Sequence, residues 1–389
     1  MRILTVDVGT GTQDVFLYDS ELDLENGYKL VLPSPTMLVH QRLRLATQRR
    51  ESVLLTGYLM GGGPSHWAAR DHLRAGGRLY ATPDAARTFD DDLSVVEREM
   101  GVRLVSDDEA QALDGTVLRL ELKDFDLPLI ARTFALYGVE LDVEAVAVAV
   151  FDHGSAPPGY SDRQFRFDYL DALCRAAPPE LPPLDKLTVF AHRAEDIPAS
   201  MTRLQAVAAS ARAQGLTVPL LVMDTAPAAV LGAVLDPHVA AALPGGALVA
   251  NIGNFHCLVF RLGPGGIEGL FEHHTGEVTR ARLDALISAL ADSSLRHADV
   301  FDDKGHGALV YDSRAMSAPR FLAVTGPRRS LLADSVHNPY FAVPGGDMML
   351  AGCFGLLRAL AGAYPGLAGP ILHSLAGGAG RPPWEAARV

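Results

Sequence analysis

Residues at the tips of two predicted strand–turn–strand units have types that suit phosphate binding. The first unit joins predicted strands at 2–8 and 14–19 through the turn GTGTQ. Glycine lets backbone N–H groups approach phosphate oxygens closely, and threonine hydroxyls add donors. The carboxylate of Asp7, at the end of the first strand, could hold Mg²⁺ through water. The turn is either a phosphate loop or an ordinary glycine hairpin, and its candidate ligands are Gly9, Thr10, Gly11 and Thr12.

A second unit of the same kind occupies 247–262 and favours the phosphate-loop interpretation. Its residues Asn251-Ile252-Gly253-Asn254 stand where Asp7-Val8-Gly9-Thr10 stand in the first unit. Asn251 is a neutral amide in the place of an aspartate, so it can hydrogen-bond phosphate or a metal-bound water but brings no charge. Two similar halves, each opening with a hairpin, predict a duplicated α/β architecture with a cleft between them.

Three residues after predicted strands are candidates for acid–base chemistry. Asp152 and His153 follow the apolar strand predicted at 143–151, and sites in α/β sheets gather at the carboxyl ends of strands. Asp152 could be a general base toward an acceptor hydroxyl, with His153 as a substrate contact, or Asp152 could be a cap or turn residue. Asp224 ends another strand and could position Mg²⁺ or water, or cap the helix that follows.

Candidate substrate contacts lie in polar and glycine-rich segments. Gly61, Gly62 and Gly63 could present N–H groups to an anion or form a plain turn. Arg163 and Arg166, in a predicted loop, suit a carboxylate or phosphate, or are surface residues.

The pair His273 and His274 could contact substrate, form structural hydrogen bonds, or bind a transition metal with His256, His297 or His306. Adjacent strand residues point to opposite faces, so only one of the pair can face a given site. The segment 302–307, DDKGHG, is either a loop that closes over the cleft or plain surface.

Composition limits the classes of function. The 389 residues are 48% hydrophobic and 21% charged, enough for two or three domains with buried cores. Acidic residues outnumber basic ones by 12, which argues against nonspecific binding to nucleic acid or anionic membranes. The three cysteines, Cys174, Cys257 and Cys353, form no CxxC motif, so neither a disulfide framework nor a cluster held by the cysteines of one subunit is expected, while a cluster that bridges two subunits stays open. The sequence indicates a cytoplasmic protein without a signal peptide or membrane span.

The two glycine turns together resemble the paired phosphate loops of the actin-like ATPase superfamily of sugar kinases, actin, heat-shock chaperone ATPases and acetate kinases. Three further segments follow in that superfamily's order: DTAPAAVLGAV at 224–234 resembles a connecting helix, AVTGPRR at 323–329 the adenosine-binding turn, and PGGDMMLAGCFGLL at 344–357 a second connecting helix. The resemblance implies nucleotide contacts at Gly326, Gly345 and Gly346. Arg328 and Arg329 either stack on a base or touch phosphate, or form a solvated surface pair. It predicts an α/β fold of two duplicated, ribonuclease H-like domains, at 1–235 and 236–389, around a nucleotide cleft.

The resemblance implies ATP and Mg²⁺ as ligands and an unidentified small molecule as acceptor. One expectation is a phosphotransferase, and a weaker one is an acyl or carbamoyl transferase. Another is a nucleotide-dependent conformational switch with little turnover, which Asn251 favours. Subunit association is common in that superfamily, so a homo-oligomer is also expected.

The whole chain also resembles a family labelled as pyruvate formate-lyase activating enzymes, through MGGGP, FDHG, FEHHTG and DDKGHG. Radical activators of that kind need a three-cysteine motif, which this sequence lacks.

Overall fold

The computed structural model describes residues 1–113, 115, 117–318 and 320–386. The strands in these residues are β1 (Arg2–Val8), β2 (Thr12–Asp19), β3 (Tyr28–Pro33), β4 (Val53–Gly57), β5 (Leu79–Ala81), β6 (Arg103–Leu104), β7 (Leu118–Leu122), β8 (Ala145–Val150), β9 (Ala191–Arg193), β10 (Leu220–Asp224), β11 (Ala247–Ile252), β12 (His256–Gly263), β13 (Gly266–His274), β14 (Gly307–Val310), β15 (Phe321–Thr325) and β16 (Tyr340–Phe341). The helices are α1 (Pro35–Arg49), α2 (Pro64–Arg74), α3 (Pro83–Ala86), α4 (Leu93–Val95), α5 (Asp107–Ala112), α6 (Leu127–Ala135), α7 (Asp162–Ala176), α8 (Thr202–Ala213), α9 (Thr225–Ala233), α10 (Pro237–Ala242), α11 (Arg280–Ala291), α12 (His297–Phe301), α13 (Ala351–Ala363) and α14 (Pro365–Leu375).

Two six-stranded sheets share a core of five strands with one topology. The first has the order β3-β2-β1-β8-β10-β9, and the second has the order β14-β13-β12-β11-β15-β16. In each, an antiparallel three-strand meander is followed by two strands parallel to the first strand of the meander: β8 and β10 beside β1, and β15 and β16 beside β11. This repeat confirms the predicted fold class of two duplicated actin-like ATPase, ribonuclease H-like units. The boundary predicted at residue 235 stays a prediction.

Strand β8 shows how the sequence builds the layers. Its AVAVAV sequence is buried along its whole length, as expected for a central parallel strand covered on both faces. The three alanines face the core cluster that contains α13, and the three valines face the cluster that contains α8. Small alanines on the first face leave room for the helices between the two sheets.

Helices α9 and α13 lie between the sheets and cross with their backbones in contact. A Cβ atom added at Gly232 would overlap the carbonyl oxygen of Ala351, and one added at Gly355 would overlap that of Ala228. Only glycine fits at these two positions, so the two helices pack with their backbones in direct contact. One core cluster joins both helices to residues of both sheets.

A smaller four-stranded parallel sheet, with the order β6-β5-β4-β7, lies between β3 and β8 in the sequence and has its own apolar core. Residues 52–60 predict the strand β4 and residues 65–75 predict the helix α2, but the sequence does not predict this separate sheet. β5 and β6 span only three and two residues, too short to show a period-2 pattern.

Two local predictions are wrong. The segment LTVFAHR at 187–193 predicts a short strand, but the structure has a 3₁₀ helix, Asp185–Phe190, and only β9 is extended. Arg163 and Arg166 lie on α7 and not in a loop.

Among the described residues, no single helix is long and apolar enough to span a membrane. Thr225–Ala233 and Pro237–Gly245 satisfy length and composition only as a pair, with a 79° bend between them.

Candidate functional site

The tip of the first hairpin places two carboxylates side by side. The N–H of Gly9 donates to the carbonyl of Thr12 at 2.9 Å, which closes the turn. In the ladder that follows, Asp7 pairs directly with Asp14, so their side chains share one face. Both residues line a cleft of about 440 Å³ that runs between the two large sheets.

The electrostatics of this carboxylate pair suit a cation. Burial raises the pKa of Asp7 to about 7. The hydrogen bond that Thr225 Oγ1 donates to Asp7 Oδ1, at 2.5 Å, acts in the opposite direction and lowers this pKa. Burial and then the negative charge of Asp7 raise the pKa of Asp14 to about 8, and Asp14 Oδ1 is buried without a hydrogen-bond partner. Hard oxygen ligands of this kind fit Mg²⁺.

The second hairpin tip faces the first across the cleft. The N–H of Gly253 donates to the carbonyl of His256 at 2.9 Å, the counterpart of the Gly9 bond. A Cβ atom added at Gly11 would lie 2.6 Å from Asn254 Nδ2, so the two tips approach each other closely. Gly9, Thr10, Thr12, Asn251, Gly253 and Asn254 all line the cleft.

Two helices begin at the same end of the cleft. Asp224 caps α9 by accepting from Ala226 N, and Thr225 lies in the cleft wall. Gly352, in the first turn of α13, packs so closely on Asp7 that an added Cβ would overlap Asp7 Oδ2. The N–H groups of helix N-termini favour anions, so both helices complement a phosphate at the tips.

The predicted adenosine turn is only partly in the cleft. Gly326 and Pro327 line the cleft. Gly326 has φ 98°, and a Cβ atom added to it would lie 2.5 Å from the carbonyl oxygen of Ile252. Arg328 is exposed outside the lining. Gly345 and Gly346 form a 3₁₀ turn beside Phe354 and Glu25, also outside it.

Gly61, Gly62 and Gly63 line the opposite side of the cleft, where the small sheet meets the second hairpin tip. The N–H of Gly61 is already bonded to Asp124 Oδ1 at 3.2 Å. Gly63 begins α2 beside Phe255, whose ring packs on Trp67 with centroids 5.6 Å apart. The small sheet therefore covers one end of the cleft.

Asp152 lines the cleft, but its carboxylate is occupied. Oδ1 accepts from Gly154 N at 2.8 Å, and Oδ2 accepts from Arg203 N at 3.0 Å and Leu204 N at 2.9 Å. These bonds give Asp152 the capping role at the start of α8. Its role as a general base stays a prediction.

Arg163 and Arg166 are both turned away from the cleft space. Arg163 donates to the carbonyls of Phe301 and Gly305, which anchors the DDKGHG loop. Arg166 is fully buried, and its guanidinium nitrogens lie 2.6 Å from a carboxylate oxygen of Asp224 and 2.7 Å from one of Glu272. Both side chains therefore make structural contacts in the folded protein, and their role as substrate contacts stays a prediction.

Three histidines, His153, His256 and His306, surround Phe151 at the cleft wall, and His274 lies beside the last two. His274 faces the cleft, whereas His273 is buried on the other face with Nε2 3.6 Å from Asp303. His256 stacks on Phe151, with centroids 4.0 Å apart, and lies beside His153 and His306. Burial, followed by neighbouring charges, lowers the pKa of His153 to about 3 and that of His274 to about 4, so these imidazoles are neutral near pH 7.

Sequence reasoning missed several residues of the site: Asp14, Asp91, Asp162, Thr225, Glu272 and Gly352. Asp14 had a signal, since a hairpin centred between Thr10 and Gly11 must pair it with Asp7. Asp91 and Asp162 lie in the cleft wall near the small sheet, and burial raises the pKa of each. Nothing local in the sequence marks those two residues.

A family model described as "Putative pyruvate format-lyase activating enzyme (DUF1786)" matches residues 60–331. The residues present do not fit the cysteine-held cluster of radical activators. Cys174 lies on α7, Cys257 donates to the carbonyl of His273, and Cys353 donates to that of Asp14. Comparison with curated protein sequences gives no match.

Three solved structures are similar at low identity. The ethanolamine utilization protein EutJ from Carboxydothermus hydrogenoformans is 13% identical, with 92% of this chain and 89% of that one covered and a TM-score of 0.32. A carbohydrate kinase from Novosphingobium aromaticivorans is 11% identical, with 98% and 92% covered and a TM-score of 0.23. The ROK hexokinase from Thermus thermophilus is 12% identical, with 69% and 47% covered and a TM-score of 0.22. The fold assignment therefore rests on the strand order of the two sheets.

Proposed function

The chain belongs to the family whose model matches residues 60–331, and we propose that it is an ATP-binding, phosphotransferase-like protein that acts on a small molecule in the cleft. The observation that carries this proposal is the pair of opposed hairpin tips. Gly11 and Asn254 meet across the cleft, while Asp7, Asp14 and the first turns of α9 and α13 surround the same space.

The residues at the tips have separate tasks in nucleotide binding. The N–H groups of Thr10 and Gly11, the hydroxyls of Thr10 and Thr12 and the amide of Asn254 bind phosphate oxygens, and the N-termini of α9 and α13 add favourable dipoles. Asp7 and Asp14 hold Mg²⁺, and Gly326 and Pro327 form the wall for the nucleoside. Bound Mg²⁺–ATP supplies the phosphoryl group, with its charge neutralised by the metal.

The acceptor belongs at the other end of the cleft. Gly62, His66, Asp91 and Asp162 line this end together with Thr36. Carboxylates and hydroxyls of this kind hydrogen-bond the hydroxyl or amine groups of a small polar molecule. Covering by the small sheet excludes water from the transfer.

A nucleotide-dependent switch is the second candidate. Two observations favour it: Asn251 supplies no charge where the first tip has Asp7, and the carboxylate of Asp152 is taken up by three backbone donors. ADP release from Mg²⁺–ATP, measured with and without a metabolite library, separates the two. Acceptor-stimulated release supports the phosphotransferase, and tight binding without turnover supports the switch.

Replacing Gly11 by valine should weaken Mg²⁺–ATP binding at least a hundredfold, because the new side chain occupies the space between the tips. Isothermal titration of the wild type and the variant at equal Mg²⁺ concentration measures the effect. Gly245→Val is the matched control, since an added Cβ there meets no atom within 4 Å. Unchanged ATP affinity in a folded Gly11→Val protein would show that phosphate does not bind at these tips.

The three free thiols also bear on where the protein works. Two of them are buried, and we place the protein in the reducing cytoplasm.

A further inference from the structure

Three histidines from three separate segments converge on one point of the cleft wall. His153 follows β8, His256 opens β12 and His306 precedes β14. One ring nitrogen from each lies within 4.8 Å of the other two. Among the described residues, this is the group of histidine, cysteine and acidic side chains whose ligand atoms lie close enough to share one metal ion.

The imidazole of His306 is set up as a ligand. It is fully buried, its Nδ1 lies 2.5 Å from Glu272 Oε1, and its Nε2 is buried without a hydrogen-bond partner. Glu272 is an ion-pair partner of Arg166, so its carboxylate only accepts and His306 Nδ1 must carry the proton. The lone pair therefore lies on the unpartnered Nε2, in the carboxylate–histidine arrangement typical of metal ligands.

The other two rings are held by packing. His256 stacks on Phe151 with an interplanar angle of 11°, and His153 meets the edge of the same ring with centroids 4.7 Å apart. Beneath Phe151, one guanidinium, that of Arg166, faces the two carboxylates of Asp224 and Glu272. The carboxylate of Glu272, which is hydrogen-bonded to His306, is a negative charge that favours a cation at the free nitrogen of that ring.

We propose that His153, His256 and His306 bind one divalent transition-metal ion, Zn²⁺ foremost, with a fourth position open to the cleft. Three atoms within 4.8 Å of one another have a common point at most about 2.8 Å from each, and Zn–N bonds measure about 2.0–2.1 Å, so small side-chain movements complete the site. Three imidazoles suit Zn²⁺ and its neighbours in the first transition row, whereas Mg²⁺ requires the oxygen ligands found at the hairpin tips.

The site has two consequences for the cleft. The open position would take a water molecule or an oxygen atom of the bound substrate, as in zinc sites with three protein ligands. His153 follows a strand of the first large sheet, whereas His256 opens one strand of the second large sheet and His306 precedes another, so a bound ion would link the segments of the two sheets.

The test is metal binding by the full chain without nucleotide. Protein stripped with a chelator is titrated with Co²⁺, whose absorption bands report tetrahedral nitrogen coordination, and with Zn²⁺ in competition, and bound metal is counted by mass spectrometry. We expect one ion per chain, not displaced by millimolar Mg²⁺. Failure of the stripped wild type to bind Co²⁺ or Zn²⁺ at micromolar concentration overturns the proposal.

Variants separate this site from any other. His153→Ala and His256→Ala, both at the cleft wall, should each weaken Co²⁺ binding at least a hundredfold, whereas His66→Ala, which removes another cleft-lining histidine, should leave it unchanged. Circular dichroism and thermal melting establish that each variant is folded. Folded His153→Ala and His256→Ala proteins that bind Co²⁺ as tightly as the wild type overturn the proposal. Gly11→Val should keep full Co²⁺ binding, so failure of this site and failure of the ATP proposal are distinguishable.

Discussion

Replacing Arg166 by methionine should lower the free energy of unfolding by about 3–5 kcal/mol, the cost of removing one partner from a buried ion pair. Arg166 is completely buried, and it bonds Asp224, Glu272 and the carbonyl of Asp152. Methionine fills much of the same volume but leaves two carboxylates buried without a counter-charge. Urea unfolding at pH 7 measures the loss.

The pH dependence of that loss identifies its cause. Burial, the largest single influence, acts to raise the pKa of Glu272, but the charge of Arg166 together with the charge and hydrogen bond of His306 outweighs it and holds the pKa well below its usual range. A carboxyl group whose pKa is lowered on folding stabilises the folded state at pH values above its unfolded pKa, near 4.5. This stabilisation is lost as the pH falls from 4.5 toward the folded pKa. The difference between wild type and Arg166→Met should therefore be large at pH 7 and shrink below pH 4.5.

Arg163→Met is the matched control for this experiment. Arg163 lies on the same helix but donates to two neutral carbonyl groups, so its replacement should cost about 1 kcal/mol with little pH dependence. A loss below about 1 kcal/mol for Arg166→Met, or an equal loss at pH 4 and pH 7, would contradict the role given to the buried cluster.

The sequence was most informative where structure follows from local pattern. The two hairpin tips, the AVAVAV strand and the small-residue helices could be predicted because glycine turns, apolar runs and small-residue patches act over a few neighbouring residues. The structure brings Gly11 close to Asn254, which agrees with the predicted cleft between two duplicated units.

Prediction failed where burial depends on partners far along the chain. Arg166 breaks the apolar face of α7, so the segment looked like a polar loop, and the reason for its burial is the pair of carboxylates at 224 and 272. The histidine cluster has the same character, since its members stand at 153, 256 and 306. Their spacing matches no short metal motif, and only the pairing of the sheets brings them together.

The pair Asp7 and Asp14 leads to a second large effect, which rests on the proposed binding of Mg²⁺–ATP. With pKa values of about 7 and 8, both carboxyl groups hold protons at mildly acidic pH, and a metal ion must displace them. The affinity for Mg²⁺–ATP should therefore rise at least about tenfold between pH 6.5 and pH 8.5. At pH values below the pKa of a carboxyl group, the need to displace its proton lowers the affinity by up to about tenfold per pH unit. Titration calorimetry across this range measures the slope.

Asp14→Asn separates the carboxylates from the titration of the nucleotide itself. The variant should bind Mg²⁺–ATP more weakly at pH 8.5 and show a shallower rise with pH, because one displaced proton is gone. In the metal-free protein the sign reverses: a folded pKa raised from 3.8 to about 8 means that stability present near pH 4 is lost as the pH rises toward 8. Metal-free Asp14→Asn should accordingly be more stable than the wild type at pH 8 and equal to it near pH 4. A variant that is less stable at pH 8 without metal, or a wild-type affinity that does not change with pH, would mean that these carboxylates are neither protonated in the empty cleft nor ligands of the metal.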